Sequence, residues 1–177
     1  MSRRLRVAVD VDGVLVDFVS GLADLVERCT GVRPRGRVTE WDHLAAWGNP
    51  VTWEYVREHA LKLAESLSWY HEAQDTLARL MRDHDVRFAT TPMNVDWLGA
   101  RAGWLEAHGF PIAKHIHLHD KSWLAADVLI DDGVHNLVGE TGVREPCRPI
   151  CIARPWNAHC PLSVTRVDFA DVPMLLG

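Results

Sequence analysis

Lysine is scarce in this chain. Of 19 basic residues only Lys62, Lys114 and Lys121 are lysines; the other 16 are arginines. The formal net charge is −5 and no basic stripe with interleaved aromatics occurs, which argues against a protein that binds a nucleic acid polymer. Long apolar runs are missing too: none reaches the ~18–20 residues of a membrane-spanning helix, so no membrane partner is expected. The opening MSRRLRVAVD enters a charged strand too early for a secretory leader, and we expect a cytoplasmic protein. Cysteine is limited to Cys29, Cys147, Cys151 and Cys160, expected to be reduced thiols in that compartment. The last three are spaced C-x3-C-x8-C beside His159. Without paired C-x2-C knuckles they read as buried or incidental thiols rather than a zinc site.

Tryptophan, by contrast, is abundant, with eight in 177 residues. Hydrophobic residues at 47% and charged residues at 24% are globular proportions, and the length suits one domain with a small insert. Five β-rich runs stand out, at 5–11, 86–90, 115–119, 126–130 and 148–153. The fourth, ADVLI, is nearly all apolar, as a central parallel strand is. Helical spacing links Phe18, Leu22, Leu25 and Cys29, and again Leu77, Leu80, Met81 and His84. A third helix is expected over 94–108, started by Asn94, with Leu98, Ala102 and Leu105 on one face and Gly109 as its stop. Strands alternating with helices predict an α/β fold with a parallel sheet.

Spacing locates an insert. Thr90 and Lys121 are 31 residues apart, enough for one crossover helix, whereas Asp12 and Thr90 are 78 apart. The second interval exceeds a single βαβ crossover by roughly 45 residues. The surplus contains Trp41, Trp47, Trp53 and Trp69 and is mostly helical, with breaks at 31–36 and 48–50. We read 18–77 as a small helical cap, and 1–17 with 78–177 as the α/β core.

Strand ends carry the polar groups. The first run ends in Asp10-Val11-Asp12-Gly13, and carboxylates two apart on a strand share a face. The second ends in Thr90-Thr91-Pro92, the third is followed by Asp120-Lys121, and the fourth ends in Asp131-Asp132-Gly133. Open α/β sheets bind ligands at this rim, and chance hardly explains four strand ends so equipped. In the His115, His117, His119 run the intervening Ile116 and Leu118 account for an edge strand packed on one side, so no metal site is expected there.

The ordered set resembles the four motifs of the haloacid dehalogenase (HAD) superfamily of phosphotransferases, over roughly residues 5–155. The stretches D-V-D-G-V-L-V-D-F, T-T-P, D-K-S-W-L-A-A-D-V-L-I-D-D and R-P-W-N resemble the 5′(3′)-deoxyribonucleotidases within it, the cytosolic type C family. The eleven-residue step from Lys121 to Asp132 matches that family's spacing. The resemblance implies a HAD-like Rossmannoid parallel sheet of strand order 5-4-1-2-3 with a helical cap inserted after strand one. It also implies a phosphomonoesterase acting on (deoxy)ribonucleoside monophosphates, pyrimidine ones foremost. Another small phosphorylated metabolite, such as a sugar phosphate, is the alternative substrate. A non-catalytic phosphate-binding module is a further reading, though such a protein is expected to have lost Asp10 or Asp12, and both are present. The oligomeric state stays open, a homodimer included.

Roles follow from phosphoryl transfer. A phosphate monoester dianion repels nucleophiles, so a hard divalent cation with oxygen ligands, Mg²⁺, is expected. Asp10 is the expected nucleophile, and Asp12 the group that protonates the leaving alcohol and then activates water. The resemblance assigns Mg²⁺ to the Asp10 carboxylate, the Asp12 backbone carbonyl and the late acidic pair. Spacing favours Asp132 as direct ligand with Asp131 behind it, the reverse being open. Thr90, with Thr91 beside it, is expected to hydrogen-bond a phosphoryl oxygen, and Lys121 to offset negative charge as a compact cation. For the base, the resemblance implies an aromatic slot, with Phe18 and Trp41 as candidates and Trp47 as a weaker one. Asn157 of R-P-W-N matches a family feature without a chemical role that we can give it.

Overall fold

The computed structural model describes residues 3–48, 51–140 and 142–177. Asn49 and Pro50, which belong to the expected break at 48–50, lie outside them. In chain order the elements are β1 (Arg6–Val9), α1 (Phe18–Thr30), α2 (His43–Ala46), α3 (Trp53–Glu58), α4 (Ala60–Ser66), α5 (Ala73–Asp83), β2 (Asp85–Thr90) and α6 (Val95–Ala107). They continue as β3 (His115–His117), β4 (Val128–Asp131), α7 (Val134–Leu137), β5 (Arg148–Ile152), β6 (Thr165–Val167) and α8 (Val172–Leu176).

The strands form one parallel sheet in the order β3-β2-β1-β4-β5-β6. The five expected strands take their expected order, and β6 extends the edge beyond β5. Its Thr165 and Arg166 are exposed, so it carries no apolar alternation by which the sequence would betray it. Strand β1 is central and buried on both faces. Val7 and Val9 join the larger apolar cluster with Leu22, Leu63, Leu77 and Phe88, whereas Ala8 faces the smaller one with Ala89, Leu129 and Cys151.

Helix boundaries have local causes. Asp17 caps α1 by accepting from the Ser20 N–H at 3.0 Å, and Gly31, at φ +74°, ends it. The buried stripe of α1 is Leu22, Leu25 and Val26; Cys29, which the spacing placed on that face, is exposed. Asn94 caps α6 by accepting from the Trp97 N–H at 2.8 Å. The buried face of α6 runs through Trp97, Ala100, Arg101, Trp104 and Leu105, and Leu98 is only half-buried. Helix α4 packs along α6, and α5 packs on β2 and α8, so the helices between β1 and β2 share the apolar cluster of the sheet. Among the described residues no helix is long and apolar enough to cross a membrane.

Candidate active site

The site forms where the C-terminal ends of β1, β2 and β4 meet the turn after β3. Asp10 follows directly on β1, and its N–H bonds the Ile130 carbonyl at 2.8 Å, keeping it in sheet register. The chain then turns sharply: the Gly13 N–H bonds the Val16 carbonyl at 3.0 Å with φ of +86° at Gly13. A Cβ there would sit 2.4 Å from Asp132 Oδ2, so both the backbone and the close approach require glycine. Arg154 fastens this turn from outside, donating to the carbonyls of Gly13 (2.6 Å) and Val14 (3.2 Å).

Lys121 is wholly buried and central. Its Nζ donates to Asp131 Oδ2 at 2.5 Å, the Ala89 carbonyl at 3.0 Å and Asp10 Oδ1 at 3.1 Å. The two other lysines lie elsewhere: Lys114 pairs with Asp85 at 2.5 Å, and Lys62 is exposed. Asp131 has committed both oxygens, Oδ2 to Lys121 and Oδ1 to the Gly133 N–H (2.7 Å) and Asn136 Nδ2 (3.2 Å). Asp132 accepts at Oδ2 from the Trp156 indole at 2.8 Å, but its buried Oδ1 has no partner among the described residues. Asn157 holds the backbone here, donating to the carbonyls of Asp132 (2.9 Å) and Ile152 (2.8 Å). The R-P-W-N stretch thus fixes both ends of Asp132.

Asp10, Asp131 and Asp132 bring carboxylate oxygens within 4.8 Å of one another, the one such cluster of ligating groups among the described residues. Oxygen donors and an orphaned buried carboxylate oxygen fit a hard divalent cation. The electrostatics agree. Burial, with repulsion from Asp131 and Asp132 and against the pull of Lys121, drives Asp10 well above the usual carboxylate range. Burial and the Asp131 charge push Asp132 up to about 7. Burial works against the Lys121 charge, yet Asp10 and Asp131 outweigh it and hold the ammonium above its ordinary value. A cation among these acids relieves repulsion that the protein alone leaves standing.

Asp12 lies beside them, its Oδ1 paired with the Arg101 guanidinium. Arg101 is wholly buried on α6, stacked 5.0 Å from Trp97 and 5.4 Å from Trp104, its Nε and Nη1 without a hydrogen-bond partner among the described residues. Burial raises the Asp12 proton affinity while Arg101 pulls it down. Thr90 is buried at the end of β2. The Thr91 hydroxyl donates to the Leu118 carbonyl at 2.9 Å, tying β2 to the loop after β3.

Over this floor opens a cavity of about 430 Å³. Phe18, Trp41, Thr90 and Thr91 line it, as do Asp10, Asp12 and Asp132. Trp47 does not line it, being packed half-buried against the core. Sequence reasoning missed His43, Trp53, Met93, Trp97, His135, Asn136 and Trp156 on the walls, and Arg101 behind Asp12. Arg101 had a signal, a charge set in the apolar face Trp97, Ala100, Trp104. Trp97 lies on that same face of α6, and the others come from short segments without periodicity.

Comparison with known proteins agrees with this geometry. Residues 3–176 match the family described as "5' nucleotidase, deoxy (Pyrimidine), cytosolic type C protein". A 5'(3')-deoxyribonucleotidase of Bacillus subtilis (strain 168) is 28% identical over 143 residues, covering 78% of this chain and 81% of that protein. The 5'(3')-deoxyribonucleotidase of Bacillus phage SPbeta gives the same values, 28% over 143 residues, 78% and 81%. Among solved structures, a haloacid dehalogenase-like family hydrolase from Streptococcus pneumoniae superposes with a TM-score of 0.59 at 15% identity, covering 97% of both chains. The L-2-haloacid dehalogenase of Xanthobacter autotrophicus superposes with a TM-score of 0.55 at 15% identity, covering 98% of both. These two structures establish a HAD-like fold.

Proposed function

The chain belongs to the cytosolic type C family of deoxy(pyrimidine) 5′-nucleotidases, and from that membership we propose that it hydrolyses pyrimidine (deoxy)ribonucleoside monophosphates with Mg²⁺, through an aspartyl-phosphate on Asp10. The observation that carries this reading is the convergence of Asp10, Asp12, Lys121 and Asp132 under one aromatic-walled cavity. Asp10, the Asp12 backbone carbonyl and Asp132 would hold the metal. Asp132 is favoured over Asp131 because its Oδ1 is the uncommitted oxygen. When bound, Mg²⁺ offsets the charge of the phosphate and of these carboxylates.

The protein's own groups supply the remaining steps. Lys121 at 3.1 Å from Asp10 Oδ1 opposes the effect of burial and favours the ionised nucleophile. An Asp10 oxygen attacks phosphorus and the P–O bond to the nucleoside breaks. Asp12 gives its proton to the leaving oxygen, then takes one from the water that cleaves the acyl phosphate. Burial favours the protonated Asp12 that the first step uses, and Arg101 favours the ionised one that the second uses. The Thr90 hydroxyl serves a phosphoryl oxygen, while Thr91, its own hydroxyl committed to Leu118, acts as wall. Phe18 and Trp41 offer flat faces to the base, and residues 18–77 act as the cap over the core formed by 1–17 and 78–177. We place the enzyme in the cytoplasm.

Two measurements test this. Asp10→Asn should abolish hydrolysis of 4-nitrophenyl phosphate while its circular dichroism matches the wild type; surviving activity removes Asp10 as nucleophile. A panel of nucleotides and sugar phosphates should show preference for dUMP or dTMP, and indifference to the base removes the nucleotide assignment.

A further inference from the structure

Among the polar side chains on the aromatic walls, His43 takes no part in the chemistry above. His43, the first residue of α2, is buried. Its ring centre lies 5.1 Å from that of Trp156, 6.0 Å from Trp41 and 6.1 Å from Phe18. His43 Nδ1 is 3.0 Å from the Glu40 carbonyl oxygen. A carbonyl can only accept, so Nδ1 bears the hydrogen. Burial holds the proton affinity of the ring below its ordinary value, so the neutral ring has its single proton on Nδ1. Nε2 is then a bare acceptor, and among the described residues no protein group bonds to it.

The segment around it is held in place. Asp42 caps α2, accepting from the Ala45 N–H at 3.2 Å, and accepts the Trp53 indole N–H at 3.0 Å. The cavity therefore has aromatic faces for a flat ring and, among its wall residues, a histidine whose Nε2 is an acceptor. Aromatic faces alone discriminate weakly between flat rings, whereas a buried acceptor strongly disfavours a ligand lacking the matching donor.

We propose that His43 is a specificity-determining residue whose Nε2 accepts a hydrogen bond from the imino N3–H of a uracil or thymine base lying against Phe18 and Trp41. This rests on the nucleotide reading given above and adds the polar contact that stacking does not provide.

Steady-state kinetics on the full chain test it, with dUMP, N3-methyl-dUMP and deoxyribose 5-phosphate as substrates. His43→Phe keeps a ring in place without an acceptor; His43→Gln restores an acceptor. The wild type should lose about tenfold or more in kcat/KM on N3-methylation, and His43→Phe a similar factor on dUMP. In His43→Phe the methyl group should cost nothing further, because variant and methyl remove the same contact. On deoxyribose 5-phosphate the variant should lose less than about twofold, and His43→Gln should recover part of the dUMP rate. Equal losses by His43→Phe on dUMP and on deoxyribose 5-phosphate overturn the assignment. So does a wild type indifferent to N3-methylation, a comparison that needs no variant to fold. A wild type that turns over deoxyribose 5-phosphate as well as dUMP sinks the nucleotide reading and His43 with it. A preference for dUMP that survives both methylation and His43→Phe leaves that reading intact and removes His43 alone.

Discussion

Trp156 and Asp132, 24 residues apart, are joined by one hydrogen bond of 2.8 Å from indole Nε1 to carboxylate Oδ2, while Oδ1 of the same carboxylate is buried without a partner among the described residues. The bond holds the carboxylate so that one oxygen is spent and the other is ready for a ligand. Groups that orient a metal ligand from behind typically contribute ~10–100-fold in metal affinity. Trp156→Phe preserves a large ring and deletes the donor. We expect the Mg²⁺ concentration giving half-maximal phosphatase activity to rise about tenfold or more, with little change at saturating metal. An unchanged Mg²⁺ titration would show that the indole only fills space.

That relationship also marks where the sequence stops being readable. Asp10, Asp12, Thr90, Lys121, Asp131 and Asp132 were legible because strand ends deliver them at fixed intervals to one rim, and the fold followed from the same alternation. Strand β6 was not legible, because an edge strand of three residues with two exposed lacks an apolar period. Trp156 and Asn157 reach the site from a short turn, where position depends on hydrogen bonds across the chain, and His43 from a four-residue helix too short to show a period. The Thr91 hydroxyl reads in sequence like that of Thr90, and only three dimensions distinguish the two: Thr90 is buried beside Asp12, whereas Thr91 is exposed and bonded to Leu118.

The crowded acids predict a pH-dependent stability. Burial raises Asp10 and Asp12 in the folded protein, carboxylate repulsion adding to it at Asp10 and Arg101 opposing it at Asp12, while burial and the Asp131 charge push Asp132 up to about 7. In the unfolded chain such groups ionise near ~3.9. Between these values the folded state holds more protons, so stability falls as pH rises from about 4 to about 7. The melting temperature of EDTA-treated protein should be lower at pH 8 than at pH 5, by about 5 °C or more. Adding Mg²⁺ should raise it chiefly at pH 8, where Asp132 no longer has a proton to give up. A Mg²⁺ effect equal at both pH values would mean that these carboxylates are not its ligands.

Arg101 predicts the pH profile of the reaction. Its guanidinium lowers the proton affinity of Asp12 against the upward push of burial. Arg101→Met keeps an unbranched stem between Trp97 and Trp104 but removes the charge, so Asp12 holds its proton to higher pH. With an aryl phosphate, whose leaving group needs no proton, the rate reports the step in which Asp12 must be ionised to activate water. The acid limb of that pH–rate profile should move to higher pH, with kcat at neutral pH falling about tenfold or more. Loss of activity with an unmoved acid limb would assign Arg101 to packing instead.

Gly13 ties the Asp10–Asp12 turn to Asp132 through space. Its φ of +86° disfavours any side chain, and the position of an added Cβ lies 2.4 Å from Asp132 Oδ2 and 2.6 Å from Asp132 Cγ. A flexible neighbour would swing aside, but Trp156 and Asn157 hold Asp132 at its carboxylate and its backbone. Relief must therefore come from shifting the Asp10–Asp12 turn or from breaking the Trp156 bond, and either displaces one of the proposed metal ligands from the others. Gly13→Ala should lower kcat/KM by about 100-fold or more, since misplacing reacting groups by ~1 Å costs that much. The strain at positive φ should destabilise the fold by only about 1–2 kcal/mol, because β1 and its register lie before the turn. Thermal unfolding and Mg²⁺ titration of the variant separate the two effects. A variant with wild-type Mg²⁺ affinity and turnover would mean that Asp132 has room to move, and with it that the clamp by Trp156 is loose.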